Sequence, residues 1–303
     1  MMKRFLCGTL AAALVVGSVV SASDASAAKK VKVPKPAKVF NMNKANKNVV
    51  AVTRKGDSAE TFTPTEAAKT KAKGGVMPTV NKKKKVQYKK GKNGKALYLD
   101  RTYGVQLKGV NVGTGSWTVS FWIQIPNGIG NFSPVFFAAT DLKDASAKWV
   151  SITKRDDIQE TGGSPIIWSH AVEGKSDEFP WYCKNGVNDK GEAEWTWGTA
   201  FDSKKWQHVT LVVDHSKKKL TEYGVKGEDG YVKGYNGATY INGKLYGNGV
   251  IAKKSVNGST KFFLGINGWD VPVKAYYDDV TFWKKALTAK QVKQLYKNKG
   301  IAK

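Results

Sequence analysis

Chemistry in this chain would have to come from carboxylates close enough to act as a pair, or from aromatic rings set beside polar groups. Hydrolysis of a glycosidic bond by two carboxyls of the retaining kind needs them about 5–5.5 Å apart. Carboxylates at i and i+2 of one strand would deliver that on one face; a longer run such as Glu-x-Asp-x-x-Glu does not occur. Asp156, Asp157 and Glu160 have the wrong spacing and sit in a turn-like stretch. Glu192 and Glu194 stand at i and i+2, which a strand would place on one face. They lie in a Gly- and Asn-rich segment, however, whose simpler reading is solvated loop charge. His170, His208 and His215 are scattered. No Ser/His/Asp set, Cys/His metal spacing, phosphate-cradling glycine loop or dinucleotide fingerprint accompanies them. The residues argue against an enzyme and leave a glycoside hydrolase with an unrecognised site as a remote alternative.

Binding is better served. Recognition of sugar needs an exposed aromatic platform beside polar groups. Trp181 and Tyr182 in Glu178-Phe-Pro-Trp-Tyr, Trp195 and Trp197 in Glu194-Trp-Thr-Trp, and Trp269 with Asp270 in Asn267-Gly-Trp-Asp are the candidates. For each tryptophan the competing reading is packing beneath a loop. Trp117 and Trp206 belong to the core or its rim. In Asp278-Asp279-Val280-Thr281-Phe282-Trp283, strand alternation puts Asp278 on the face of Val280 and Phe282, which looks inward. A buried carboxylate needs a partner. Calcium suits it as a hard cation, and backbone N–H groups or a lysine would serve as well.

The elements that must position these residues are mostly strands. Ser116 to Ile125 alternates, with Trp117, Val119, Phe121, Ile123 and Ile125 on one face and Thr118, Ser120, Trp122 and Gln124 on the other. That is the period-2 pattern of a strand with one buried face. Further strands are predicted over 39–42, 49–52, 96–99, 105–107, 135–139, 149–153, 165–169, 207–214, 238–241, 261–266 and 277–283, separated by turns such as Asn242-Gly243 and Asn257-Gly258. Lys82 to Lys95 is dense in Lys and Gly and reads as an exposed loop or edge, where lysine discourages strand-to-strand aggregation. Thr63-Pro-Thr-Glu resembles a capping box and predicts a short inserted helix over Glu66 to Lys73. Thr288 to Lys299 predicts a C-terminal helix with Val292, Leu295 and Tyr296 on one side, a Thr cap and a closing Gly300. Many short strands with few helices argue for an antiparallel all-β sandwich.

Lys3 and Arg4 precede an uncharged apolar stretch, Phe5 to Val20, and small residues then offer cleavage after Ala22 or Ala27. This is the pattern of a secretory signal peptide over 1–27. A basic, proline-containing tether over 28–38 and one sandwich over 39–303 complete the expected organisation. No later segment is long and apolar enough to span a bilayer. Without Cys7 only Cys183 remains, so the processed chain holds no internal disulfide and must stand on its core. With 41% hydrophobic residues, 10 Trp, 12 Tyr and 12 Phe, it has the means. Cleavage after Ala27 removes Lys3, Arg4 and Asp24 and lowers the formal charge from +26 to +25. Such a charge attracts acidic surfaces, subject to screening by salt. Candidate partners are anionic cell-wall polymers and acidic polysaccharides, with no specific nucleic-acid signal. The competing reading is generic lysine solubility.

Three segments together resemble the concanavalin A-like lectin/glucanase superfamily, and most closely its bacterial laminin G-like branch. They are Gly94-Lys-Ala-Leu-Tyr-Leu-Asp100 running into Gly104-Val-Gln-Leu107; Trp117 to Ile123 with Lys205 to Asp214 and Thr239 to Lys244; and Leu264-Gly265 with Tyr277 to Trp283 and Ala286-Leu-Thr288. The resemblance covers most of Val39 to Lys299. It implies a jelly roll of two antiparallel sheets whose first and last strands lie close together. It also implies structural calcium, held by Asp278 with oxygens from Asp100. Fold alone does not fix function in such a superfamily, which holds binding modules, adhesion domains and glycosidases. Taken with the residues, the expectation is a secreted or cell-surface, non-catalytic carbohydrate-binding or adhesion module. A structural wall or matrix protein that binds anionic polymer by charge is the alternative.

Overall fold

The computed structural model describes residues 31–54, 76–125, 133–140, 148–155, 164–171, 179–182, 205–216, 220–223, 232–252 and 255–300. The chain divides into two units, Met1–Lys30 and Val31–Lys303. The segment expected to be a signal peptide, the helix expected over Glu66 to Lys73, and Asp156, Asp157, Glu160, Glu192, Glu194, Trp195 and Trp197 lie outside the described residues.

The second unit is a sandwich of two antiparallel sheets. One has the strand order β13 (Leu220–Tyr223), β14 (Val232–Ile241), β12 (Gln207–Asp214), β7 (Trp117–Gln124), β17 (Lys274–Trp283), β5 (Lys95–Asp100) and β4 (Gln87–Lys90). In it, β1 (Lys38–Phe40) also pairs with β17, and β15 (Lys244–Ala252) with β14. The other runs β11 (Phe179–Tyr182), β10 (Ser164–Ala171), β9 (Lys148–Arg155), β8 (Ser133–Ala139), β16 (Lys261–Leu264), β6 (Gly104–Leu107), β2 (Val49–Thr53) and β3 (Thr79–Val80). First and last strands are neighbours, with Lys38 opposite Phe282 and Phe40 opposite Val280.

The alternation in β7 works as the sequence predicts on its inner side. Trp117, Val119, Phe121 and Ile123 enter the main core, where Phe136 of the facing sheet lies 6.3–6.4 Å, ring to ring, from Phe121, Trp117 and Phe282. The outer side departs from the expectation of one buried face, because Thr118, Ser120 and Trp122 are buried too. Trp122 packs against Tyr296 of α1 (Ala289–Lys297), the one helix among the described residues, while Thr118 donates to Lys285 O and accepts the Leu287 N–H just before it. Val292 and Leu295 of α1 pack with Val212, Ala238, Tyr240 and Trp283 of the nine-stranded sheet. Its start is a complete capping box. The Thr288 side chain accepts the Gln291 N–H, and the Gln291 side chain accepts the Thr288 N–H.

The expected tether over 28–38 is corrected from residue 31 onward. Val33 is buried in the same outer cluster, and the Trp283 indole N–H donates to Pro34 O at 2.8 Å. Ala37 N–H donates to Phe282 O at 2.7 Å. An apolar residue and a backbone aligned with β17 make this stretch a strap on the sandwich rather than a spacer. No helix among the described residues is long and apolar enough to cross a membrane.

Candidate ligand face

The outer surface of the nine-stranded sheet is built from every second residue of its strands. Leu97 and Leu99 point into the core, so Tyr98 points out; Ala275 and Tyr277 point in, so Tyr276 points out. Tyr98 and Tyr276 are direct cross-strand partners, and Tyr276 is in turn opposite Gln124. Gln207 is opposite inward-facing Ile123, which sets Trp206, just before β12, on the outer side beside Gln124. The rings of Tyr98 and Tyr276 are 4.9 Å apart, and those of Tyr276 and Trp206 6.3 Å. Three aromatic residues from distant parts of the chain thus form a row across the strands. Tyr276 and Trp206 are half-buried. Tyr98 is buried beneath Lys89, whose Nζ lies 3.5 Å from its ring centroid.

Polar groups border this row, with Gln87 opposite Tyr98 and Gln124 between Tyr276 and Trp206. Tyr103 fixes the edge: its hydroxyl donates to Tyr98 O at 2.6 Å and accepts the Gln87 N–H at 3.1 Å. Burial pushes that hydroxyl up to about 12, so it remains a neutral donor.

One step along the sheet the face closes. Trp122 and His208 are cross-strand partners with rings 5.1 Å apart, and Tyr296 of α1 packs on both. The Trp122 indole N–H donates to Lys299 O at 2.8 Å. Gly300, at φ +80°, lies so close that a Cβ there would meet Trp122 Nε1 at 2.6 Å. His208 is fully buried, with no hydrogen-bond partner for either ring nitrogen, and burial drives it down to about 3. It fills a packing position in the sheet beside Trp122.

Asp278 is buried, but not on the face expected for it. A β-bulge shifts the β17–β7 register between Asp278 and Thr281, with Asp279 at φ 48°. The extra residue reverses the alternation, so Tyr277, Val280 and Phe282 all point inward while Asp278 faces outward beside Trp122. Its Oδ2 accepts the Asn93 N–H and its Oδ1 the Asp279 N–H, each at 2.9 Å. Asn93 Nδ2 donates to Asp279 Oδ2 at 2.6 Å and to Lys299 O at 3.2 Å. Burial raises both carboxyls. Asp278 reaches about 6 despite the Asn93 N–H, with Asp279 adding repulsion.

Asp278 and Asp100, expected together at one calcium ion, stand apart. Asp100 is opposite Lys274, four residues along β17 from Asp278, roughly 13 Å at about 3.3 Å per residue. Lys84 Nζ sits 3.3 Å from Asp100 Oδ2, where Gln87 Nε2 also donates at 3.1 Å, and the Thr102 hydroxyl donates to Oδ1 at 2.6 Å. Burial works against charge on Asp100, but the Thr102 bonds and Lys84 outweigh it and hold the carboxyl low. Asp278 is held by N–H donors and Asp100 by a lysine, so the pair does not fit a calcium site. Among the described residues no group of three His, Cys, Asp or Glu side chains could hold a metal ion.

The other aromatic candidates lie elsewhere. Trp181 and Tyr182 fall in β11, an edge strand of the eight-stranded sheet rather than a loop, with Trp181 opposite Ile167. Trp269 is half-buried against Trp149 at 4.9 Å and Phe137 at 5.9 Å on the outer side of that sheet, closing a small cluster with Met77. Asp270 accepts from Asn267 Nδ2 at 2.6 Å. Trp269 and Asp270 are therefore on a different sheet from the Tyr98–Tyr276–Trp206 row. The row was missed because its members are far apart in sequence, although the alternation around Tyr98 and Tyr276 already marks them as outward.

The laminin G-type model described as the Concanavalin A-like lectin/glucanases superfamily matches residues 99–293. No curated protein matches the chain. Among solved structures it is similar to domain 4 of AbnA, a GH43 extracellular arabinanase from Geobacillus stearothermophilus, in complex with arabinotriose. The identity is 24% over 70% of this chain and 82% of that one, with a TM-score of 0.46. It is also similar to the botulinum neurotoxin type G receptor binding domain, at 15% identity over 82% of this chain and 51% of that one, TM-score 0.44. A third is the botulinum neurotoxin serotype D ligand binding domain in complex with N-acetylneuraminic acid, at 13% identity, 82% and 50% coverage, TM-score 0.41. The chain thus spans about half the length of the two neurotoxin domains.

Proposed function

The chain belongs to the concanavalin A-like lectin/glucanases superfamily, and from that premise we propose that it is a non-catalytic glycan-binding module of an exported protein. The observation that carries this reading is the row of Tyr98, Tyr276 and Trp206 across the outer face, with Gln87, Gln124 and Lys89 beside it. Aromatic rings offer flat apolar surface to the C–H faces of sugars, and amide and ammonium groups donate to hydroxyl oxygens. Elements buried on their inner side hold the row, so binding would cost little ordering.

The non-catalytic half rests on the carboxylates. Among the described residues, Asp278 and Asp279 are buried in a bulge and tied to Asn93, and Asp100 is tied to Lys84. None of these forms an open acid–nucleophile pair. Release of reducing sugar from any polysaccharide would overturn this half.

Affinity electrophoresis against a polysaccharide panel tests the binding half. With a retained polymer, Tyr276→Ala and Trp206→Ala are each expected to weaken binding by about 30-fold, the equivalent of a 2 kcal/mol hot spot. Full binding by both variants, with loss in Trp181→Ala, Trp197→Ala or Trp269→Ala, would move the site to the aromatics read from the sequence.

A further inference from the structure

We propose that the ligand on this face is an acidic polysaccharide, whose anionic groups meet Lys89 and Lys92 where the aromatic row reaches the sheet edge, with Lys90 and Lys95 adding positive charge around that edge. This inference rests on the glycan-binding reading and adds the chemical class of the glycan. From Trp206 to Lys89 the row crosses β12, β7, β17, β5 and β4, four strand spacings of about 4.8 Å, or roughly 19 Å. A short stretch of polysaccharide laid along it ends on β4, the edge strand.

At that edge, positive charge has no partner among the described carboxylates. Lys90 and Lys95 are direct cross-strand partners on the side of Tyr88 and Leu97, around the edge from Lys89, and as like charges they are unfavourably placed. Gly91 N–H donates to Gly94 O at 2.7 Å, closing the tight turn that carries Lys92. Lys89 lies over the Tyr98 ring and Lys92 Nζ 4.9 Å from the Trp122 ring centroid, so both ammonium groups sit on the outer face. All four lysines are exposed. The carboxylates within reach of the turn are taken: Asp278 and Asp279 by Asn93, and Asp100 by Lys84. No described carboxylate pairs with any of the four.

A lysine guard on an edge strand accounts for Lys89 and Lys90. It does not account for the anchoring of the turn beyond them. Asn93 bonds the β17 bulge and the carbonyl of Lys299, and Lys95 N–H donates to Asn43 Oδ1 at 2.9 Å. A solvated charged loop needs no such anchors; a preorganised anion-binding edge does.

The test uses the whole protein and two matched polymer pairs: polygalacturonate against its methyl ester, and dextran sulfate against dextran. At low salt the acidic member of at least one pair is expected to bind about tenfold or more tightly than its neutral twin. High salt should remove that preference and leave the neutral binding. The triple variant Lys90→Gln/Lys92→Gln/Lys95→Gln should lose the preference, keep neutral binding and unfold no earlier than the parent. A control, Lys284→Gln/Lys285→Gln/Lys290→Gln, removes equal charge beside α1 and should keep the preference.

Equal loss in the control would make the effect one of bulk charge and overturn the proposal. So would a preference that survives the triple variant, or double-stranded DNA bound as tightly as the acidic polymer at the same salt. Neutral binding without acidic preference would defeat this inference alone. Binding of no polymer would defeat the glycan-binding reading and this inference with it.

Discussion

His208 and Asp278 face the same buried patch beside Trp122 and titrate in opposite senses. Burial holds His208 near 3 in the fold against 6.5 as its ordinary value. The unfolded chain therefore binds the extra proton in between, and stability falls as pH drops from about 6.5 toward 3. Asp278 is raised from 3.8 to about 6, so the folded state binds the extra proton there. Its contribution is complete below 3.8 and is lost as pH rises through about 6. Thermal midpoints measured across this range should show the two partly cancelling. His208→Phe should lessen the loss on the acid side, and Asp278→Asn should steepen it between about pH 4 and 6. A parallel profile in both variants would mean that neither group titrates as its surroundings imply. The place of His208 in a strand was legible, but its packing against Trp122 and Tyr296 was not. Nor was the orientation of Asp278, because one inserted residue reverses every later position.

That insertion is a property of the element. Along β17, Ala275 and Tyr277 face the core, and after the bulge Val280 and Phe282 do. The strand thereby exchanges its partner β5 for β1 while keeping an apolar inner side. Asp279 sits at φ 48°, a region costly for branched side chains. Asp279→Val should destabilise the fold by about 1–3 kcal/mol in chemical unfolding, beyond the loss of the Asn93 bond. Asp279→Gly, which loses the same bond but accepts the backbone, should cost less. Equal cost for the two would mean that the bond, not the backbone, is what the residue supplies. Elements with local signals were legible. The Thr288 cap and the spacing of Val292 and Leu295 predict α1, and Asn242-Gly243 marks the turn between β14 and β15. The strands β11, β13 and β15 lack a clear alternation in sequence, and their partners define them instead.

At the scale of the whole molecule, charge is a property of composition, and the proposed export rests on the N-terminal pattern alone. The formal charge of +26 and the Lys3-Arg4 start followed by an apolar run are read directly from the chain. Under that proposal, N-terminal sequencing of the protein from its native host should begin at Ser23 or Ala28, and an intact Met1 would refute processing. The sandwich itself was also legible, because alternation and turn residues are local and repeat along the strands. So was the proximity of its first and last strands, through the resemblance. The sequence by itself therefore determined the fold class, the C-terminal helix, the excess of lysine and the want of a paired-carboxylate motif. Only the tertiary structure decided that residues 31–38 strap the sheet, that Asp100 and Asp278 stand apart, and that Tyr98, Tyr276 and Trp206 form one row ending at Lys89. The physical reason is that a sheet joins neighbours by hydrogen bonds between strands remote in the chain. The outer face is thus a product of pairing order and register, which no local pattern encodes.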